Sequence, residues 1–211
     1  MADLPATRPL VPRRRPTQER SRRKFETMLA VARDLLTDVG FESMTCEEIA
    51  ARSDVPIGTL YQFFANKYVI VCELDRQDTV GVQAELAELG SAIPSLDWPN
   101  LLERFLDHLA ALWQHDPSRR AVWLAVQSTP ATRATAALNE QALAEQVEHI
   151  LAPLTPHQRE RRKTMARLLV HTAYSALSFS VQDGQDRAAV VAELKRMLGG
   201  YLLREQDKLD S

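Results

Sequence analysis

Apolar residues recur along most of this chain at three- and four-residue steps, and no region sustains two-residue alternation, which predicts helices and no sheet. From about Thr17, the positions Phe25, Met28, Leu29, Ala32, Leu35, Leu36 and Val39 form one such stripe, and Gly40 supplies a stop. The sequence TCEE at 45–48 has the spacing of a capping box. In that box the Thr45 hydroxyl accepts from the Glu48 N–H while the Glu48 side chain reaches back. A short helix to about Arg52 follows, then a turn at Ser53, Asp54 and Val55, and a second short helix from Pro56, a residue suited to a first turn. Asp54 is among the few non-glycine types that tolerate positive φ, and Val55 can plug the angle between the helices. Beyond Lys67 the pattern predicts six more helices, at about 67–89, 97–115, 117–127, 130–151, 156–182 and 186–206. The fifth is opened by a second capping box, TPHQ at 155–158.

The expected fold is therefore all-α, with about nine helices. A basic arm over 1–16, disordered by itself, precedes a three-helix domain over 17–66 and a larger helical body over 67–211. Two short helices joined by a three-residue turn are the helix-turn-helix signature. Its second half is the aromatic-rich DVPIGTLYQFFANK, residues 54–67. Gly58 and Thr59 are small, so the start of that helix can approach a large partner closely. Leu60 and Phe64, four apart, share a face and are expected to pack toward Leu35 and Ile49. Tyr61 lies off that face with its hydroxyl outward, and Phe63 is placed with it as an amphipathic shoulder. Lys67, at the next helix start, is placed to hold a phosphate jointly with free N–H groups.

Charge sharpens this picture. Residues 1–24 carry eight Arg or Lys against Asp3 and Glu19, a net +6, so the remaining 187 residues sum to −8 within an overall −2. A basic, proline-punctuated arm ahead of an acidic body fits a protein that meets a polyanion at one end only, although a solubilising tail has the same composition. Cys46 and Cys72 match no metal or redox spacing, which fits a reducing compartment. No apolar run follows the early arginines, and the longest uncharged run, residues 168–182, is short and polar for a membrane span. A cytoplasmic protein is expected. The five histidines show no metal-ligand spacing, and neither a glycine-rich phosphate loop nor a nucleophile elbow is present. Catalysis, a metal and a cofactor are therefore not expected. A DNA-packaging protein is the other rival, against which the acidic body and its size both count.

The stretch TCEEIAARSDVPIGTLYQFFANKYVI resembles the tetracycline-repressor (TetR) family of bacterial regulators. Thr45, Ile49, Ala50, Val55, Gly58, Thr59, Leu60, Tyr61, Phe64 and Lys67 match the family pattern T-x-x-x-I-A-x-x-A-G-V-S-x-G-T-L-Y-x-[HY]-F-x-x-K in register. The chain departs from it at Ser53 and Asp54, at Pro56, and at Phe63, which offers no hydrogen bond where the family has His or Tyr. The resemblance implies a homodimeric repressor that binds double-stranded DNA through the first domain and a small, mostly apolar effector through the second. It implies phosphate contacts from Thr45, Thr59, Tyr61 and Lys67, and places Pro56, Ile57, Gly58 and Gln62 at the major groove. Gln62 could pair bidentately with adenine and Ile57 could meet a thymine methyl, while a solvated position is the plain alternative for Gln62. Arg13, Arg14 and Arg15 could enter the neighbouring minor groove.

The second domain says less. Candidate effector contacts are Phe105, His108, Trp113, Trp123, His171, Tyr174 and Phe179, aromatic bodies with a few polar tips. His171 stands mid-run in an uncharged helix that reads as buried nearly all round, where Tyr174 or a serine could equally satisfy it. A helix so buried fits a homodimer built from the last two helices. The expected interface is Ala173, Ala176, Leu177, Ser180, Val190, Leu194, Met197, Leu198 and Tyr201, against the alternative of a wholly intramolecular core.

Overall fold

A computed structural model of the chain describes residues 9–92, 98–152 and 158–207. Among these residues there are ten helices and no strand: α1 (Glu19–Asp38), α2 (Gly40–Ser43), α3 (Cys46–Arg52), α4 (Ile57–Phe63), α5 (Lys67–Ala92), α6 (Trp98–His115), α7 (Pro117–Val126), α8 (Pro130–Ile150), α9 (Arg159–Ser180) and α10 (Arg187–Asp207). The six later helices stand where the apolar period placed them, their ends shifted by no more than three residues. The additional element is α2, a single turn too short to carry a period.

Two compact units make up the chain. One comprises the residues up to Asp78 with Pro117–Asn139, the other Thr79–Asp116 with the residues from Glu140 onward. The division thus falls inside α5 and α8, not at Lys67 as the sequence had suggested. Val69, Ile70, Val71 and Leu74 explain the difference: the start of α5 is buried in the core of the first unit.

That core is built on α1. Phe25, Met28, Leu29, Ala32, Leu35 and Leu36 are all buried, as their spacing requires. Val39 leaves the stripe exposed because α1 ends at Asp38 and Gly40, with φ of 77°, turns the chain. Thr45 caps α3 by accepting from the Glu48 N–H at 3.1 Å. Only half of the expected capping box forms, because the Glu48 carboxylate takes Arg52 at 2.7 Å. Asp54 turns the chain with φ of 52°, the left-handed conformation anticipated there, and Val55 is buried beneath it. Within this unit α7 packs along α1. Arg33 fastens the arrangement, donating to both Asp78 carboxylate oxygens, at 2.8 and 3.2 Å, and to the Ser118 hydroxyl at 3.1 Å.

The aromatic cluster closes the core beneath α4. Phe25 stacks on Phe64 with centroids 4.8 Å apart and meets Phe63 edge-on at 5.5 Å. Each such pair adds about 0.5–1.5 kcal/mol beyond area burial. Phe63 is therefore core, buried beside Phe64, and not the exposed shoulder the sequence suggested. The correction has a geometric cause: the chain leaves helical geometry at Phe64, where φ is −120° and ψ 125°, so both consecutive rings turn inward.

In the second unit α9 packs on α10 and α6, and α10 on α6. Lys195 of α10 reaches Asp107 of α6 at 2.6 Å, and Gln146 donates to the Gln83 carbonyl at 3.0 Å. The capping box proposed at 155–158 lies outside the described residues except for Gln158, whose side chain makes no cap. No helix among the described residues is long and apolar enough to cross a membrane.

Candidate functional site

Helix α4 is two-faced. Leu60 and Phe63 are buried, whereas Pro56, Ile57, Gly58, Tyr61 and Gln62 form a continuous exposed face that starts at the turn after α3. Glycine inside a short helix costs roughly 0.5–1 kcal/mol relative to alanine. Packing within the chain does not demand it, since a Cβ placed at Gly58 meets nothing within 4 Å. The bare backbone at Gly58 suits close approach by something outside the chain.

The polar residues around this face sort into two groups. Tyr61 is exposed, and its hydroxyl donates to the Glu47 carboxylate at 3.3 Å. Desolvation first, then the charges of Cys46 and Glu47, push its pKa up, so at neutral pH the phenol is a donor. Thr45 is exposed at the α3 start, and Thr59, partly buried, bonds its N–H to the Pro56 carbonyl at 2.7 Å. Lys67 belongs to the other group. Its ammonium donates to the carbonyls of Phe41, Glu42 and Met44 at 2.8, 3.0 and 3.2 Å and sits over the Phe41 ring. All three of its donors are thus used on the chain's own carbonyls, so its charge serves to cap α2 instead of facing outward as expected.

The basic arm also differs from expectation. Residues 9–16 are not a free tail: the Leu10 N–H donates to the Thr135 hydroxyl at 3.0 Å and the Arg13 N–H to the Phe63 carbonyl at 2.8 Å. The Arg13 guanidinium donates to the Tyr61 carbonyl at 3.0 Å, so the arm satisfies end carbonyls of α4 that the helix leaves open. Arg15 reaches Glu73 at 2.7 Å, a carboxylate only 2% exposed that Arg76 grips with two further bonds. Arg14 alone of the three turns toward the exposed face, donating to Gln62 Oε1 at 3.0 Å with its guanidinium over the Phe63 ring. Nothing in the sequence marks Glu73 as the anchor of the arm, because a glutamate inside a helix reads as surface.

The second unit carries a partly open cavity of about 80 Å³ lined by apolar side chains, among them Leu86, Leu143, Leu169 and Leu198, with Phe105 and Tyr174 as its aromatic members. Of the seven predicted contacts, Phe105 and Tyr174 line it, and Trp113 packs edge-on to Tyr174 at 6.3 Å. The others do not. His108 faces Glu85 at 3.0 Å, Phe179 is 45% exposed, and Trp123 belongs to the first unit. His171 is an exposed side chain beside Glu140, because the uncharged run of α9 is not buried all round. Leu168, His171, Ser175 and Phe179 occupy its open face.

The predicted dimer residues divide in the same way. Ala173, Leu177, Ser180, Leu194 and Leu198 are buried inside the unit itself, Ala176 and Val190 are half-buried, and Met197 and Tyr201 are exposed. The stripe read as an interface is mainly the inner face of the bundle. Spacing alone locates an apolar face without saying which neighbour covers it.

A turn-linked helix pair with one open face, followed by a helical unit around an apolar hole, agrees with two family models. One, described as "Bacterial regulatory proteins, tetR family", matches residues 28–74; the other, "Tetracyclin repressor-like, C-terminal domain", matches residues 96–206, about half the chain. The chain belongs to the TetR family. As a TetR-family transcriptional regulator it binds DNA through the helix-turn-helix and carries a ligand-binding C-terminal domain. Solved structures agree in fold. A TetR-family regulator from Streptomyces coelicolor is 21% identical with a TM-score of 0.64, covering 86% of this chain and 98% of that one. One from Syntrophomonas wolfei is 13% identical with a TM-score of 0.71, covering 86% and 95%. The Thermus thermophilus repressor FadR in complex with lauroyl-CoA is 20% identical with a TM-score of 0.58, covering 82% and 92%. No curated protein matches the sequence.

Proposed function

We propose that this TetR-family regulator is a homodimeric repressor that reads a palindromic operator and leaves it when a small, mostly apolar effector enters the second unit. The observation that carries the proposal is the pairing of an exposed α4 face, open at Gly58, with a cavity whose lining offers hydrocarbon almost throughout. Ile57 and Gln62 face the major groove, with Thr45, Thr59 and Tyr61 at its phosphate edge. An effector pocket typically encloses ~300–1,000 Å³, so the hole of about 80 Å³ must widen to admit one. Widening parts the helices around it. Because α5 and α8 each supply residues to both units, such movement reaches the DNA-binding unit along the chain itself. A change in the separation of two recognition helices weakens both half-sites together, and a coupling of ~1–3 kcal/mol changes affinity ~5–150-fold. That the T. thermophilus relative holds lauroyl-CoA supports an effector with a long apolar part.

Exposed apolar stripes on the last two helices, Leu168 and Phe179 on α9 and Met197 and Tyr201 on α10, supply the face for a second copy. The test is selection of bound duplexes from a randomised pool by the full chain, followed by titration of the complex with medium- and long-chain acyl compounds. An inverted repeat released by such compounds is expected. Direct or single half-sites overturn the dimeric reading, and a complex indifferent to every apolar compound overturns the effector.

A further inference from the structure

The contact between Arg14 and Gln62 bears on which base the recognition helix selects. This step rests on the DNA-reading function proposed above and goes beyond it. Arg14 donates to the Gln62 side chain at 3.0 Å, and a guanidinium has donors only. The amide atom facing it must therefore be oxygen, which leaves the Gln62 NH₂ directed away from the arm. The pair is held in place on both sides. Arg13 is bonded to the Tyr61 and Phe63 carbonyls, Arg15 to Glu73, and the Arg14 guanidinium itself rests 4.9 Å from the Phe63 ring centroid. Arg14 and Gln62 are exposed, next to Tyr61 on the open face of α4.

Bidentate reading of adenine needs the glutamine oxygen to accept from N6 while its nitrogen donates to N7. Here one of that oxygen's two lone pairs is taken by Arg14, so the edge the pair offers is dominated by the Gln62 NH₂ and the remaining Arg14 N–H groups. All of these are donors. Guanine presents the complementary major-groove edge, with two acceptors, N7 and O6, side by side. We infer that Arg14 and Gln62 read one base pair together, that Arg14 is a specificity-determining residue of the interface, and that the base they select is guanine. The adenine preference expected from Gln62 alone is thereby reversed.

Selection from a randomised duplex pool with the full-length wild type, Arg14→Ala, Arg14→Lys and Gln62→Ala tests this. The position that becomes indifferent in Gln62→Ala is the one the pair reads. At that position the wild type is expected to favour guanine over adenine by about tenfold. Arg14→Ala should bring that ratio to within about twofold or invert it, and Arg14→Lys, which still offers only donors, should retain a guanine preference. Three results overturn the inference: adenine at that position in the wild type, an unchanged preference in Arg14→Ala, or no altered position in Gln62→Ala. An Arg14→Ala that binds every sequence more weakly with the same preferences marks Arg14 as a phosphate contact only. A wild type that enriches no sequence overturns the DNA-reading function itself, and this inference with it.

Discussion

The two units fill their interiors differently. Around α4 the core is closed: Met28, Leu35, Met44, Ile49, Leu60, Phe64 and Ile70 are fully buried, and three phenylalanine rings interlock. In the second unit comparably large side chains, Leu106 and Leu143 among them, surround a hole of about 80 Å³. A close-packed core holds side chains in one arrangement, whereas a void lined by hydrocarbon lacks the contacts that resist a change of shape. The contrast suits a rigid reading head joined to a deformable sensor.

The largest effect that can break this comparison is expected at Phe63. Truncation to alanine leaves a hole between the Phe25 and Phe64 rings, and Phe→Ala in a core costs about 3–5 kcal/mol. Denaturant unfolding of Phe63→Ala should show that loss. A cost below ~1 kcal/mol would mean the ring is an exposed shoulder after all and the reading head is less tightly built than described.

A second test concerns the open faces of α9 and α10. Met197 is 60% exposed, so a glutamate there leaves the unit's own core intact. In the homodimer proposed above, a charge on this face would be desolvated against the partner's apolar surface. Met197→Glu should weaken the dimer by about 2 kcal/mol, roughly thirtyfold in dissociation constant, measured by sedimentation equilibrium. An unchanged dimer would place the interface elsewhere.

Legibility in the sequence follows the same division. The helix-turn-helix could be read because its demands are local: a stripe at helical spacing, a cap at Thr45, a left-handed turn at Asp54. Each is decided by residues a few positions apart, and the structure has all three. The cavity could not be read, since a leucine beside a hole and a leucine in a filled core have the same spacing. His171 and Phe179 were misplaced for a related reason: uncharged does not mean buried, and α9 turns both outward. Lys67 and Phe63 sit in recognised motif positions, yet their directions depend on carbonyls and rings more than 20 residues away in sequence. The Arg14–Gln62 bond spans 48 residues and has no local signature at all.

The smallest change is one methyl group, and it separates what the fold wants from what the interface wants. A methyl at Gly58 enters open space, so the chain gains helix propensity without a clash, and Gly58→Ala should raise stability by up to about 1 kcal/mol. If α4 approaches DNA at its first turn, the same methyl stands between the helix backbone and the groove. Affinity for the selected operator should then fall about tenfold or more while the melting temperature rises, with both read on one protein preparation. Opposite signs would identify Gly58 as kept for contact at a cost in stability. A stabilised protein with undiminished affinity would move the point of closest approach away from the start of α4, toward the end where Arg14 meets Gln62.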